Sequence, residues 1–320
     1  MQRLYLILPA LTVALVLTAS CRSAPASAAT GAVSAADVHN FVSAWKQWSP
    51  ADSTCLALEP YWRSATPGLE FYARKFDVTQ ADLCSAVRKK PTRYAALAAE
   101  AAALDSASAA IRVIYEKFRA LHPLEHNPSV YLVIGNGISA GSTTRGKHPV
   151  ILIGAEVVNS VRDLPWIVAH ELVHTQQDYP WFGSMNGGPK FLRGSLLRHS
   201  IAEGSADFIA SLITGKPVAT AWAEEHEGAL WKQFRHDADS RNYGEWLYNG
   251  WNRKALGDRP PDLGYWMGYR ITQSYFDHAT DKAKAISDIL SIHDFPAFLA
   301  ASKYDGRGKR AMHAELRVTR

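Results

Sequence analysis

The stretch that decides this fold is Leu164-Pro-Trp-Ile-Val-Ala-His170-Glu171-Leu172-Val173-His174-Thr-Gln-Gln177. In an α-helix, residues four positions apart lie on one face, so His170 and His174 would present their imidazoles side by side. Two such imidazoles can bind one metal ion, and Glu171 stands where a carboxylate can act on water beside that ion. The pattern therefore predicts a helix that carries two zinc ligands and a general base.

A catalytic zinc site has three protein ligands and one open position, so a third ligand is expected on another element. The best candidate is Glu203, which lies four residues before Asp207 on an otherwise apolar segment. Two acidic residues there are costly unless each has a partner. We expect Glu203 to bind zinc and Asp207 to hold the outer nitrogen of His170. The alternatives are a helix-end carboxylate or an ion pair with Arg193 or Arg198 for Glu203, and a solvated surface acid for Asp207.

An HExxH helix followed by a second apolar helix with ExxxD resembles the gluzincin, thermolysin-like, metallopeptidases. More narrowly, the chain resembles a predicted zinc-dependent protease family related to gliding-motility lipoproteins, over roughly residues 80–305. Further segments that share the resemblance are Val130–Gly135, Ala140–Thr143, Ile151–Glu156, Ala202–Asp207 and Gly264–Arg270. The resemblance implies that His170, His174 and Glu203 bind Zn²⁺. It also implies that Glu171 is the general base and that Asp207 supports a ligating histidine.

The same resemblance implies an α+β, mostly helical, zincin-like fold, with a small N-terminal sheet before the metal helix and a helical C-terminal lobe. The expected activity is hydrolysis of peptide bonds in a peptide or protein substrate, with Glu171 moving a proton from water to the leaving amine. The tetrahedral oxyanion needs a further donor. Tyr265 and Tyr269 are the candidates, with Tyr243 and His226 behind them, although tyrosines at such positions also serve as core residues.

Two other functions stay open. The first is a catalytically silent envelope lipoprotein that keeps the fold and acts as a scaffold or binding protein. Such a protein would not need Glu171. The second is a zinc amidase that acts on cell-wall peptides, and the sequence has no recognisable wall-binding repeat that would separate it from a peptidase.

The N-terminus predicts export. Arg3 precedes an apolar stretch from Leu4 to Leu17, which is typical of a secretory signal peptide. The segment Leu17-Thr-Ala-Ser-Cys21 resembles a lipoprotein box, which would make Cys21 a lipidated first residue and attach the protein to a membrane. The alternative is a cut within Ala26-Ser27-Ala28. Either way we expect a protein of the cell envelope or periplasm.

These signals divide the chain into a leader (1–28), a tether (29–35) and a catalytic domain (36–320) with subdomains 36–180 and 181–320. The net charge is only +5, from 35 basic and 30 acidic residues. With no long basic run, cysteine-rich finger or P-loop, no nucleic-acid partner is expected. Cys55 and Cys84 are predicted to form a disulfide in an oxidising compartment, the alternative being two buried thiols. The sequence predicts no particular oligomeric state.

Apolar β-branched runs predict strands at Val130–Ile134 and Val150–Ile153, with a loop between them at 136–147. By resemblance, either Ile138–Thr143 or the following strand is expected to pair with an extended substrate, the alternative being a plain hairpin loop. Asp163 is the predicted cap of the metal helix. Segments 49–68 and 239–263 are predicted to be irregular, and the second is a candidate lid or rim. Helices are predicted at 35–48, 79–89, 92–121, 195–213, 220–234, 264–278 and 281–292, with a last turn at 295–299.

Overall fold

A computed structural model describes residues 31–144, 148–158, 160–179, 194–218, 221–250 and 256–307. The predicted α+β, mostly helical architecture is confirmed. Its sheet has four strands in the spatial order β1-β2-β4-β3. The strands are β1 (Val33–Ser34), β2 (Ser129–Val133), β3 (Gly141–Thr143) and β4 (Val150–Gly154). The first three in that order run parallel, and β3 runs antiparallel to β4 at the edge of the sheet.

The burial of the strands follows from their composition. Strands β2 and β4 are runs of Val, Ile, Leu and Tyr and are buried along their whole length, as interior strands of a covered sheet are. Strand β3 has the polar sequence Gly-Ser-Thr and lies at the edge. It forms inside the segment 136–147 that the sequence predicted to be a loop, so that prediction was wrong for residues 141–143. Of the two predicted edge segments, Ile138–Thr143 contains the edge strand, and the following strand lies inside the sheet.

The N-terminal residues of the predicted tether also join the sheet. Val33 pairs with Val130 and Ser34 pairs with Tyr131, which makes 33–34 a strand. The predicted leader, with Cys21, and the predicted subdomain boundary at 180/181 lie outside the described residues.

Helices make up most of the described residues, and α1, α3 and α6 pack against the sheet. The N-terminal helices are α1 (Ala36–Trp45), α2 (Glu59–Arg63), α3 (Pro67–Phe76), α4 (Gln80–Lys89) and α5 (Pro91–Leu121). The central pair is α6 (Leu164–Gln176) and α7 (Leu196–Thr214). The C-terminal helices are α8 (Ala221–Glu225), α9 (Glu227–Asp237), α10 (Leu263–His278), α11 (Lys282–Leu290) and α12 (Phe295–Ser302). No helix within the described ranges has both the length and the apolar character needed to span a membrane.

Prolines begin two helices that the sequence did not predict, α2 within segment 49–68 and α3 at its end. Pro60 and Pro67 occupy the first turns of α2 and α3, where the missing N–H has no intrahelical partner and the fixed φ suits a helix start. Thr66 caps α3 by accepting a hydrogen bond from the N–H of Gly68. Pro91 likewise begins α5. Proline is therefore a helix start signal at these three positions.

Two local predictions in the second half were wrong. The side chain of Asp163 does not cap α6, because a short 3₁₀ turn (Val161–Asp163) leads directly into the helix and Ser160 caps that turn. Asp163 pairs instead with Lys216, at 2.8 Å. The segment predicted as one helix at 220–234 is split into α8 and α9 at His226. The predicted disulfide is confirmed: Cys55, just before α2, is bonded to Cys84 of α4.

Helices α7 and α10 cross at glycines. A Cβ on Gly204 would overlap the backbone of Gly268 and Tyr269, and a Cβ on Gly268 would overlap the carbonyl oxygen of Ser200. Side chains at these two positions would push the helices apart, so glycine sets the close approach. Because α7 also packs against α6, it lies between α6 and α10 and contacts both.

Candidate metal centre

Helices α6 and α7 bring the three predicted zinc ligands together. Nε2 of His170 lies 2.9 Å from Nε2 of His174. Oε2 of Glu203 lies 3.1 Å from the Nε2 of His174 and 3.3 Å from that of His170. Ligand atoms that surround a zinc ion tetrahedrally at about 2.0–2.1 Å lie about 3.3 Å from one another. These three residues form a group that can hold a metal ion.

The outer nitrogens of both imidazoles have acceptors. Nδ1 of His170 lies 2.7 Å from Oδ1 of Asp207, and Nδ1 of His174 lies 2.8 Å from Oε1 of Gln177. Each acceptor favours a ring proton on Nδ1, which leaves Nε2 as the nitrogen available to a metal ion. Asp207 therefore occupies the position predicted for it. Gln177 was missed as a functional residue, although its position three residues after His174 places it next to that ring on the helix surface.

The electrostatics of the cluster favour a positive charge at its centre. Burial lowers the pKa of His170, but hydrogen bonds with Asp207 and Glu203 outweigh it and raise that pKa well above its ordinary value. Burial raises the pKa of Glu203, yet the two histidines hold it well below its ordinary value. Burial raises the pKa of Asp207, against its hydrogen bond with His170. Acceptor atoms that converge in this way need a cation between them, which a proton or a metal ion can supply.

Glu171 lies beside this group without belonging to it. Its side chain is buried and points toward the edge strand, where its Oε1 would lie 2.7 Å from a Cβ on Gly141. Residue 141 can approach the carboxylate this closely because it has no side chain. Glu171 is thus held between the metal-binding group and the backbone of β3.

A cleft of about 580 Å³ opens beside His170 and Glu171. The segment leading into β3 forms one wall, and α6 and α10 form the others. Its apolar lining includes Ile138, Trp166, Ile167, Val218, Leu263 and Trp266. Ile138 lines the rim of this cleft and is 52% exposed.

Two tyrosines, Tyr248 and Tyr265, lie beside the centre. Tyr265 of α10 lines the cleft, and its ring is stacked with that of His170 at a centroid distance of 6.3 Å. The hydroxyl of Tyr248 donates to Oε1 of Glu203 at 3.1 Å. Burial, followed by the charge of Glu203, raises the pKa of both tyrosines well above the ordinary value, so both hydroxyls remain donors. Tyr248 lies in the predicted rim segment, but the sequence did not mark it as a candidate donor.

The other predicted donors lie elsewhere. Tyr269 packs against Phe208 at 5.7 Å and does not occur among the described residues that line the cleft. The hydroxyl of Tyr243 donates to the carbonyl of Gly194. His226 stacks on Trp222 and bonds its carbonyl.

Among the described residues, Glu203 forms no ion pair with an arginine. The guanidinium of Arg198 lies over the ring of Phe295, at 5.3 Å. Arg193 lies outside the described part of the chain. The carboxylate of Glu203 faces the two histidines and Tyr248 instead.

Two imidazoles and a carboxylate on packed helices, with a second carboxylate beside them, define a class of site that can hold a divalent metal ion. A family model described as gliding motility protein GldB matches residues 210–306. This match supports the predicted relation to gliding-motility lipoproteins of the cell envelope. The matched segment begins after Asp207 and includes Tyr248 and Tyr265, so α6 and the three candidate ligands lie outside it. No curated protein and no solved structure matches the chain.

Proposed function

We propose that this protein is an exported zinc-dependent peptidase that hydrolyses peptide bonds in extended substrates. The observation that carries the proposal is the convergence of two imidazole nitrogens and one carboxylate oxygen within 2.9–3.3 Å of one another. Donors of this type and number fit zinc, and the outer hydrogen bonds of both histidines favour the tautomer that zinc requires. A purely structural cluster would not need Glu171 beside it.

Different residues would carry out the proton transfer and the stabilisation of the oxyanion. A bound zinc ion would activate water and polarise the scissile carbonyl. Glu171 would accept the proton of the attacking water and pass it to the leaving amine. Tyr248 and Tyr265 have protonated hydroxyls at the centre and would donate to the oxyanion as charge develops. The hydroxyl of Tyr248 would have to leave Glu203 to do so.

Strand β3 supplies a place for the substrate backbone. Gly154 donates to the carbonyl of Ala140 and Thr144 donates to that of Val150, so the backbone of even-numbered residues faces β4. By the alternation of antiparallel pairing, the N–H and C=O groups of Gly141 and Thr143 face away from the sheet. The carbonyl of Gly141 accepts a hydrogen bond from the hydroxyl of Ser139, and that of Thr143 accepts one from the ammonium group of Lys75. An extended peptide that added to this edge beside Glu171 would pair with the outward N–H groups and replace these two donors at the carbonyls.

The cleft favours a bulky apolar side chain on the substrate. Its walls carry two indole rings and several aliphatic groups, and they meet the polar centre at His170 and Glu171. Burying a large aliphatic or aromatic side chain there would contribute roughly 1.5–3 kcal/mol. Substrates with such a residue next to the scissile bond are therefore expected to be cut fastest.

The decisive experiment compares wild type, Glu171→Gln and Glu224→Gln on a mixed peptide library that includes cell-wall peptides. Glu171→Gln should keep its metal and lose turnover by about 10²-fold or more, because it removes only the proton acceptor. Glu224 is exposed on α8, and its variant should match wild type. Equal turnover by wild type and Glu171→Gln would exclude the peptidase mechanism. Cleavage confined to wall peptides would assign the amidase reaction.

A second candidate function is a catalytically silent envelope lipoprotein. The match to gliding motility protein GldB favours it, since that match covers the end of α7 and the C-terminal helices and excludes α6. Taken alone, this comparison supports an envelope lipoprotein more directly than a peptidase. Attachment through a lipid on Cys21 is compatible with both functions, and mass analysis of the mature N-terminus tests it. A silent lipoprotein would release no new peptide termini from any substrate in the library.

A further inference from the structure

A buried acid outside the metal centre holds the loop that leads into the edge strand. Glu156 lies just after β4 and is 4% exposed. Its Oε1 accepts a hydrogen bond of 2.9 Å from the backbone N–H of Gly137. Its Oε2 has no hydrogen-bond partner among the described residues. Burying a carboxylate costs several kcal/mol unless hydrogen bonds compensate for the lost water. The buried position of Glu156 therefore requires an explanation.

The carboxylate of Glu156 contacts the loop formed by residues 134–140. Tyr61 and Tyr94 hold the beginning of this loop through the carbonyls of Ile134 and Gly135. Glu156 holds its tip at Gly137, which has a φ of +86°. Burial raises the pKa of Glu156, and the charge of Arg93 opposes this rise. The guanidinium of Arg93 is directed to the carbonyls of Glu156 and Val158.

The loop has little freedom to move without moving β3. The carbonyl oxygen of Ser139 lies directly against Gly154, where a Cβ would overlap it. Two residues later Gly141 lies against the carboxylate of Glu171. A displacement of the tip would therefore change the distance between the edge strand and the proposed general base.

We propose that Glu156 is a positioning residue: its carboxylate holds loop 134–140 and thereby sets β3 against Glu171 for a bound peptide. This inference rests on the proposed peptidase function. Glu156 does not touch the reacting atoms, and it acts through the backbone of Gly137. Its contribution should be greater for substrates that pair with β3 than for those that reach only the metal centre.

Three variants at position 156 separate the effects of side-chain length, hydrogen-bond acceptance and charge. Glu156→Gln keeps the length and the acceptor oxygen and should behave like wild type. Glu156→Met keeps the length without an acceptor. Glu156→Asp keeps the charge but is one methylene too short to reach Gly137, and it serves if the Met variant does not fold. For the last two, kcat/KM on a long peptide should fall by about 10- to 100-fold, with a smaller loss on a blocked dipeptide.

Metal content should stay unchanged in all three variants. A merely destabilising substitution would lower the rates on long and short substrates by the same factor, and that result would overturn the proposal. So would a Gln variant as impaired as the Met variant. Hydrogen exchange provides a readout without catalysis: the amides of residues 137–143 should exchange faster in the Met and Asp variants than in the Gln variant. If wild type cleaves no peptide, the proposed function fails, while equal exchange in all variants would refute the role of Glu156 itself.

Discussion

Oε1 of Gln177 lies 2.8 Å from Nδ1 of His174, and the amide nitrogen of the same Gln177 donates to the carbonyl of Ala202. Gln177 directly follows α6 and therefore connects the orientation of one candidate ligand to α7, which carries another. Asp207 makes the corresponding link in the opposite direction, from α7 to His170. The two helices are thus locked in the register that makes three ligand atoms converge.

The first prediction concerns metal content. Protein purified without added metal should contain one zinc per chain, and His174→Ala should lose most of it, because two remaining ligands cannot complete the site. Elemental analysis gives the result. His236→Ala is the matched control, since that imidazole is 89% exposed and lies outside the centre. Unchanged zinc in the His174 variant would remove His174 from the ligand set.

The second prediction concerns the outer partners. Asp207→Asn should weaken zinc binding by about 10- to 100-fold, because the buried carboxylate orients His170 and increases its basicity. Gln177→Met should weaken binding less, since it removes a neutral acceptor. Competition with a chelator measures both affinities. Equal affinity in wild type and Asp207→Asn would mean that the hydrogen bond to His170 does not tune the site.

The spacing of residues along single helices made the metal centre predictable. His170 and His174 are four apart, as are Glu203 and Asp207, and each pair lies on one helical face whatever surrounds it. Tyr248 could not be found in this way. It lies in a segment without regular period, at a φ of +57°, and only the path of that segment brings its hydroxyl to Glu203.

In the sheet, too, the strands set by local sequence were predictable, and the strand set by pairing with another strand was not. Strands β2 and β4 were predicted from their apolar β-branched runs. Strand β3 has one residue of high strand propensity, Thr143, and is extended because it pairs with β4. The sequence placed Glu156 in a segment that resembles the family, but it did not predict the contact with Gly137. That contact joins residues of two loops that are 19 positions apart in sequence.

The third prediction distinguishes the tyrosines. Tyr265→Phe and Tyr248→Phe each remove one hydroxyl at the centre, and at least one of them should lower kcat by about 10²-fold with little change in KM, as expected for a donor to the transition state. Tyr269→Phe is the control, because that ring packs against Phe208. Steady-state kinetics on one good peptide decides between them. A loss that appeared only in the Tyr269 variant would contradict the geometry.

The last prediction concerns the crossing of α7 and α10. Gly268→Ala places a methyl group against the carbonyl of Ser200, so the helices must separate, at a cost of about 1–3 kcal/mol in the free energy of unfolding. Gly228→Ala is the matched control. It also lies in a helix, and a Cβ there has open space, so the change should be neutral or stabilising by up to about 1 kcal/mol.

Urea unfolding of both variants gives the difference in stability, and zinc affinity gives its consequence for the site. Because Gly204 packs against the backbone of Gly268 and stands next to Glu203, a wider crossing should displace the third ligand. Zinc affinity should therefore fall in Gly268→Ala under conditions where the variant is fully folded, and not in Gly228→Ala. If the two alanines had equal effects on unfolding and on zinc binding, the close approach of these helices would not be what sets the metal centre.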